Sequence, residues 1–247
     1  MSDLRDLAEY PNAFIPLRAG DERIERGRYT RCLTARGATV QRQRFAPEEL
    51  DDVLHEVRSL LRDRGRDETQ WEVGSAAVAL VEPLLARGLV RDSDPFAVAM
   101  ALTAAPPPPP PGLRARRVQS AEEYLSAFRV QSAAFGGVAT PQMLDMARSE
   151  WDAVTVIMHA VWLQDEMVSA GRMAPVEGGF ALFGGGTLPR ARGRGAYRAL
   201  IAERWRHAVG EGAPTLVTQA GAMSRPILER LGFAAVGRVE MLRDRLI

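Results

Sequence analysis

Apolar residues recur at helical spacing over Ser120–Phe135, where Tyr124, Leu125, Ala127, Phe128 and Val130 predict a helix. Pro141–Trp151 reads as a second short helix. Val154–Leu163 is rich in β-branched and apolar residues and reads as a strand, followed by a turn at Asp165-Glu166. Met167–Met173 and Gly179–Leu188 predict the next two strands. A helix is expected from about Gly193 to Val209, with Tyr197, Leu200, Ile201, Trp205 and Ala208 on its apolar face and Gly210-Glu211-Gly212 as its stop. Thr215–Gln219 then reads as a strand, Ser224–Arg230 as a helix stopped by Gly232, and Phe233–Arg243 as a last strand. Strands in succession followed by strand–helix alternation imply a mixed α/β sheet.

The other half shows part of the same order. Tyr29–Arg44 offers strands with a break at Arg36-Gly37, Pro47–Arg64 a helix with acidic residues at its start, Thr69–Val73 a strand and Ser75–Arg87 a helix closed by Gly88-Leu89. From Trp71 to Gly88 is 17 residues and from Leu216 to Gly232 is 16, each span ending in Gly plus an apolar residue, so a duplicated domain is a hypothesis. Between the halves lies Pro106–Pro111. Six consecutive prolines favour polyproline II and suit a stiff spacer, with a ligand for aromatic-lined grooves as the alternative. The expected division is therefore residues 1–105, a linker at 106–111, and a domain at 112–247.

Composition narrows the class. The chain has 247 residues, 46% hydrophobic and 26% charged, as expected of a globular protein with a sizeable core. No apolar run is long enough for a membrane span, and the N-terminus does not read as a signal peptide, so a cytoplasmic location is expected. Cys32 is the single cysteine, and three scattered histidines offer no metal spacing, so no metal is expected. A net charge of +1 argues against nucleic acid as a partner. Residues 1–111 carry 15 Arg against 18 Asp/Glu and residues 112–247 carry 17 Arg against 13, with no lysine, so the second half is the electropositive one.

The chemistry concentrates in Gly184-Gly-Gly-Thr187-Leu188-Pro189-Arg190-Ala191-Arg192-Gly193-Arg194-Gly195-Ala196. This stretch leaves a strand, passes a glycine-rich turn and opens a helix. The first turn of a helix presents N–H groups without partners at the positive end of its dipole. Glycines let backbone approach a diphosphate, and three arginines add forked donors. A P-loop is excluded because no Gly-Lys-Ser/Thr follows, and the dinucleotide fingerprint lacks its third glycine. An Arg-rich solvated loop is the bland alternative.

Arg190-x-x-Gly193-x-Gly195-Ala196 resembles the Q/R-x-x-G-x-G/A signature of the GNAT superfamily of acyl-CoA N-acyltransferases. Thr187-x-Pro189 before it is similar to that family's V-x-P, and Ser224-x-Pro-Ile-Leu-Glu-Arg-Leu231-Gly232-Phe233 to its closing helix, which ends in L-G-F. The resemblance covers about residues 113–247. It implies an α/β fold with a mixed, mostly antiparallel central sheet flanked by helices, here expected as two GNAT-like halves in tandem. It also implies that backbone N–H groups of Arg192, Gly193, Arg194, Gly195 and Ala196 hold the CoA pyrophosphate. Arg190 adds charge there, and Gly186, Thr187 and Leu188 line the pantetheine arm. The implied activity is transfer of an acetyl or other acyl group from acetyl-CoA to a primary amine. The partners would then be a CoA thioester and a small-molecule amine, with a non-catalytic acyl-CoA-binding module as the alternative.

Three departures stand out. Leu228 occupies the place of the family's closing-helix tyrosine, Gly221 the place of its asparagine, and Tyr197 a position often held by glycine. With the usual acid gone, Ser224 is the candidate proton donor to the departing thiolate. Tyr197 is expected away from the sulfur, because it opens the pyrophosphate-binding helix. In the N-terminal half, Arg42–Pro47 holds no glycine and Glu48-Glu49 places negative charge where a pyrophosphate would sit, so that half is expected not to bind CoA.

Overall fold

A computed structural model of the chain describes residues 3–34, 37–153 and 156–246. In chain order the elements are α1 (Leu4–Glu9), β1 (Glu22–Glu25), β2 (Thr30–Thr34), β3 (Gly37–Gln41), α2 (Leu50–Arg62), β4 (Glu68–Gly74), α3 (Val81–Ala86), β5 (Val90–Leu102), β6 (Leu113–Arg117), α4 (Ala121–Ala134), α5 (Pro141–Ala153), β7 (Ile157–Leu163), β8 (Glu166–Val176), β9 (Gly179–Thr187), α6 (Ala196–Gly210), β10 (Leu216–Ala220), α7 (Arg225–Arg230) and β11 (Ala234–Arg245).

The chain forms two compact units, and neither is continuous in sequence. The first comprises Met1–Met100, Gln219–Pro226 and Ala235–Ile247; the second comprises Ala101–Thr218 and Ile227–Ala234. Nearly all of β11 thus belongs to the first unit, although it closes the chain.

In the first unit the strand order is β1-β2-β3-β4-β11-β5. β1, β2 and β3 are antiparallel neighbours. β3 and β4 are parallel, with α2 as the crossover, as parallel strands require. α2 buries Leu50, Val53, Leu54, Val57 and Leu61, a stripe at spacings of three and four, against Val40, Trp71 and Leu84. The helix expected over Ser75–Arg87 splits into a 3-10 stretch, Ser75–Leu80, and α3. Pro83 explains the split: it has no N–H to close a bond to Ala79.

In the second unit the order is β10-β9-β8-β7-β6, antiparallel except for the parallel β9–β10 pair. The sheet is mixed and mostly antiparallel, as anticipated. Side chains alternate across β7: Met158, Ala160 and Trp162 pack with α4 and α5, while Val161 packs with α6. Ser120 caps α4, its Oγ accepting from Glu123 N at 3.2 Å. On α6 the buried face includes Arg204, while Trp205 is only half-buried, contrary to the apolar face read from the sequence. The strand expected from Val154 is described only from residue 156 onward, and Arg36 of the expected break also lies outside the described residues.

Candidate functional site

β9 does not run evenly against β8. Ala170 pairs with Gly186 and Arg172 with Phe183, so Gly184 and Gly185 together face the single residue Gly171. This is a β-bulge, and Gly184 takes φ +54°, which a side chain would resist. Successive residues point to opposite faces. A Cβ on Gly184 would meet Gln131 Nε2 at 2.9 Å and Arg172 Nη2 at 3.5 Å. A Cβ on Gly185 would meet the Tyr197 ring at 3.0 Å and Arg204 Nη1 at 3.3 Å. Gln131 holds the bulge by donating to Gly184 O at 2.6 Å.

On its other edge β9 pairs with β10 only at Phe180–Leu216 and Ala181–Val217. One step further Thr218 Oγ1 donates to Leu182 O at 3.2 Å, and the recorded pairing ends there. The strands part next to the bulge, which leaves the β9 edge from Gly184 to Thr187 for another extended chain to add to. Ser169 fixes the end of β9 from the far side, donating to Gly186 O at 2.7 Å and lying 2.9 Å from Thr187 Oγ1. Leu188 is buried.

Beyond Leu188 a single 3-10 turn, Pro189–Ala191, leads into the loop. Gly193 and Gly195 take φ +76° and +80°, and Gly195 is the left-handed residue that opens α6. Nothing lies within 4 Å of a Cβ position on Gly193, so that backbone is open. The three arginines have different duties. Arg190 pairs with exposed Glu166. Arg192 braces the loop, donating from Nη2 to Ala134 O at 2.9 Å and from Nε to Thr187 O at 3.3 Å. Arg194 is exposed. The loop thus meets the requirements of a diphosphate cradle: glycines at positive φ, a helix start and positive charge.

Tyr197 reaches the bulge. α6 runs back along β9, so a residue in its first turn lies level with the end of that strand, and the Tyr197 ring sits on Gly185 at the bulge. Burial raises its phenol pKa, partly offset by the nearby Arg204 guanidinium. Arg204 is fully buried, and its Nε and Nη2 have no recorded acceptor among the described residues. Burial lowers its pKa to about 10, so it remains a cation at neutral pH. Sequence reasoning missed it because it sits one residue before Trp205, where the helical pattern favours the aromatic.

On the opposite face Glu150 is buried. It accepts from Tyr124 OH at 3.0 Å and from Arg172 Nη1 at 3.1 Å. Ser224 falls in the first unit, and its hydroxyl donates to Gly221 O at 3.3 Å, a bond within its own turn. Leu228, in place of the expected tyrosine, is buried. His159 is buried, neither ring nitrogen has a hydrogen-bond partner among the described residues, and its pKa is pushed well below the usual value chiefly by burial. It packs against His207 at 5.1 Å between ring centroids, and His207 is half-buried rather than solvated. Among the described residues no cluster of His, Cys, Asp or Glu could hold a metal ion.

The first unit repeats the parting strands without the loop. β3 and β4 pair at Thr39–Gln70 and Val40–Trp71. Just beyond, Gln43 Nε2 donates to both Val40 O and Glu72 O at 3.1 Å, and Gln41 Nε2 donates to Glu72 Oε2 at 2.8 Å. Side chains of Gln41 and Gln43 bridge these strands past their last pair, where only Thr218 Oγ1 is recorded bridging β10 to β9 among the described residues.

No protein-family model and no curated protein matches the chain. Solved structures do. A GCN5-related N-acetyltransferase from Kribbella flavida is 19% identical, with 97% of this chain and 93% of that chain covered at a TM-score of 0.69. A second, from Sphaerobacter thermophilus, is 19% identical over 91% and 76% of the two chains, at 0.64. A tandem GNAT protein from the clavulanic acid biosynthesis pathway is 12% identical over 97% and 87%, at 0.65. Likeness at such low identity, extending over nearly the whole length, is a likeness of fold: this chain has the fold of the GCN5-related N-acetyltransferases.

Proposed function

We propose that this protein transfers an acyl group, acetyl in the simplest case, from a CoA thioester to a primary amine, and that the second unit carries the reaction. One observation supports this reading above the others. The bulge at Gly184–Gly185, the parting of β9 from β10 and the left-handed glycines at the start of α6 follow one another along a single stretch of chain. In the proposed complex the N–H groups of Arg192–Ala196 take the pyrophosphate, with charge from Arg190 and Arg194, and Gly186, Thr187 and Leu188 line the pantetheine arm. A CoA thioester supplies an activated acyl carbonyl. Backbone N–H groups near Gly185–Thr187 would stabilise the oxyanion formed when the amine attacks directly. An alkylamine costs about 4–5 kcal/mol to deprotonate at pH 7, so a base or an ordered water path is needed. Within the second unit Tyr197 is the candidate proton donor to the departing thiolate; Ser224, the donor expected from the sequence, belongs to the first unit.

The division of labour is part of the proposal. Residues 112–247 carry the cradle and the bulge, residues 1–105 form a GNAT-like half without a CoA site, and Pro106–Pro111 links them. A non-catalytic acyl-CoA-binding role is the second reading, favoured by the buried Leu228 where the family has its acid. Two measurements on the full chain decide: calorimetric titration with acetyl-CoA, and thiol release across a panel of amines and alcohols. Binding with turnover on amines supports the proposal. Binding without turnover on any acceptor favours the second reading, and absence of binding removes both.

A further inference from the structure

The bulge of β9 lies between two guanidinium groups. From the face covered by α4 and α5, Arg172 brings Nη2 to 3.5 Å from the Cβ position of Gly184. From the face covered by α6, Arg204 brings Nη1 to 3.3 Å from the Cβ position of Gly185, and its Nη2 would overlap a Cβ on Gly171. The two cations are close enough for Arg172 to depress the Arg204 pKa. Among the described residues one carboxylate is bonded to this pair: Glu150, to Arg172 Nη1 at 3.1 Å. Among the described residues Arg204 has no acceptor for Nε or Nη2, and Arg172 none for Nε. One fully buried cation, Arg204, and one half-buried cation, Arg172, against the single buried carboxylate bonded to Arg172 leave Arg204 uncompensated, and a buried uncompensated charge is costly.

Arg172 is also held in place. Glu150 holds Nη1 of its guanidinium, and Tyr124 OH fixes Glu150 in turn at 3.0 Å. The guanidinium carbon sits 6.0 Å from the centre of the Phe128 ring. A planar fork held at Nη1 with Nη2 turned to the bulge is suited to a carboxylate. An Arg–Glu pair of purely structural purpose would account for Glu150 but not for the unanswered Arg204 on the other face of the same two glycines.

We propose that the Gly184–Gly185 bulge carries a carboxylate-binding subsite, in which the free edge of Arg172 takes a substrate carboxylate and Arg204 supplies the balancing field from the opposite face. The inference rests on the proposed function for what lies at the bulge, namely the thioester end of CoA. The carboxylate has two possible sources with the same chemistry. It belongs to the acceptor, which is then an amino acid, or to the acyl chain, which is then that of a dicarboxylic acid.

The test titrates the full-length chain with two matched pairs. The acceptor arm compares 4-aminobutyrate with butylamine, each with and without CoA present. The donor arm compares succinyl-CoA with butyryl-CoA. One arm is expected to favour its carboxylated member by about 10- to 100-fold, the range of one charge-assisted forked pair. The preference should shrink to within about threefold in Arg172→Gln/Glu150→Gln, which removes both charges together and leaves no buried carboxylate unpaired. Should that variant not fold, Arg172→Lys keeps the charge without the fork and should lose about tenfold of the preference. Equal affinity within both pairs overturns the subsite. So does a preference that survives in the variant. Failure of the underlying reading looks different: CoA itself then does not bind, whereas the amine pair measured without CoA still reports on Arg172.

Discussion

The ring of Pro110 lies on the backbone of Gly195: a Cβ on that glycine would come within 2.5 Å of Pro110 Cγ and 2.7 Å of Cδ. The proline run is therefore not only a spacer, since its fifth residue packs on the residue that opens α6. Gly195 is constrained twice, by this contact and by φ +80°. A substitution there, including Gly195→Glu, cannot leave the fold untouched. Gly195→Ala is expected to lose about 2–4 kcal/mol, combining left-handed strain with overpacking. Gly193→Ala meets open space and should lose only about 1–2 kcal/mol from its positive φ. Denaturant melts of both variants and of Gly195→Ala/Pro110→Ala check this. The double variant should recover the packing part of the loss, and no recovery would remove the role given to Pro110.

A second prediction concerns stoichiometry. Gln43 bridges Val40 O and Glu72 O where the strands of the first unit part, and Arg42–Pro47 has no glycine to turn about a phosphate. The full chain should bind one CoA. Two equivalent sites by calorimetry would contradict the assignment of the bridged gap as closed.

The pattern of the second unit was readable because its elements obey local rules: Ser120 caps α4, glycines bound α6, and β7 alternates across its two faces. β5 was not, because Asp92-Ser93-Asp94-Pro95 breaks the apolar pattern and its inner half, residues 96–102, is a continuous apolar run without alternation. The membership of β11 in the first unit was equally hidden, since strand pairing over long sequence separation leaves no local trace. At the site, the glycines announced the loop and the bulge. Arg204, Glu150 and the reach of Tyr197 depend on which way a helix turns its long side chains, and a one-residue change in that rotation exchanges Arg204 for Trp205.

Glu72 makes stability depend on pH. It is buried, its pKa raised chiefly by desolvation, with donation from Gln219 Nε2 at 2.9 Å and Gln41 Nε2 at 2.8 Å opposing that rise. A folded pKa above the unfolded value of 4.5 means that the native state holds the proton more tightly. Stability is then greatest near and below pH 4.5 as far as this group is concerned, and falls as pH rises through the folded pKa. Glu72→Gln should flatten that slope and raise the melting temperature at pH 8 relative to the parent. A parent that gains stability between pH 5 and 8 and loses that gain in the variant would show the opposite sign and refute the assignment.

The last prediction concerns the thiolate that must leave if acyl transfer occurs. Leu228 can donate nothing, so a proton has to come from elsewhere. Ser224 is half-buried and already donates to Gly221 O; to protonate a thiolate it would have to give up that bond. Tyr197 lies with its ring on Gly185, and burial keeps its phenol in the protonated form at neutral pH. The buried Arg204 beside it stabilises the phenolate that is left when the phenol's proton passes to the thiolate. Tyr197→Phe should therefore lower kcat by about 100-fold, the lower end of the range for a positioned acid, with the KM for acetyl-CoA changed little. Ser224→Ala should lose about 0.5–1.5 kcal/mol of stability, one hydrogen bond's worth, and keep its turnover. Steady-state rates at saturating acetyl-CoA, measured beside melting temperatures, separate the two. Full activity in Tyr197→Phe with collapse in a folded Ser224→Ala would hand the role to the serine, and full activity in both would assign the proton to solvent.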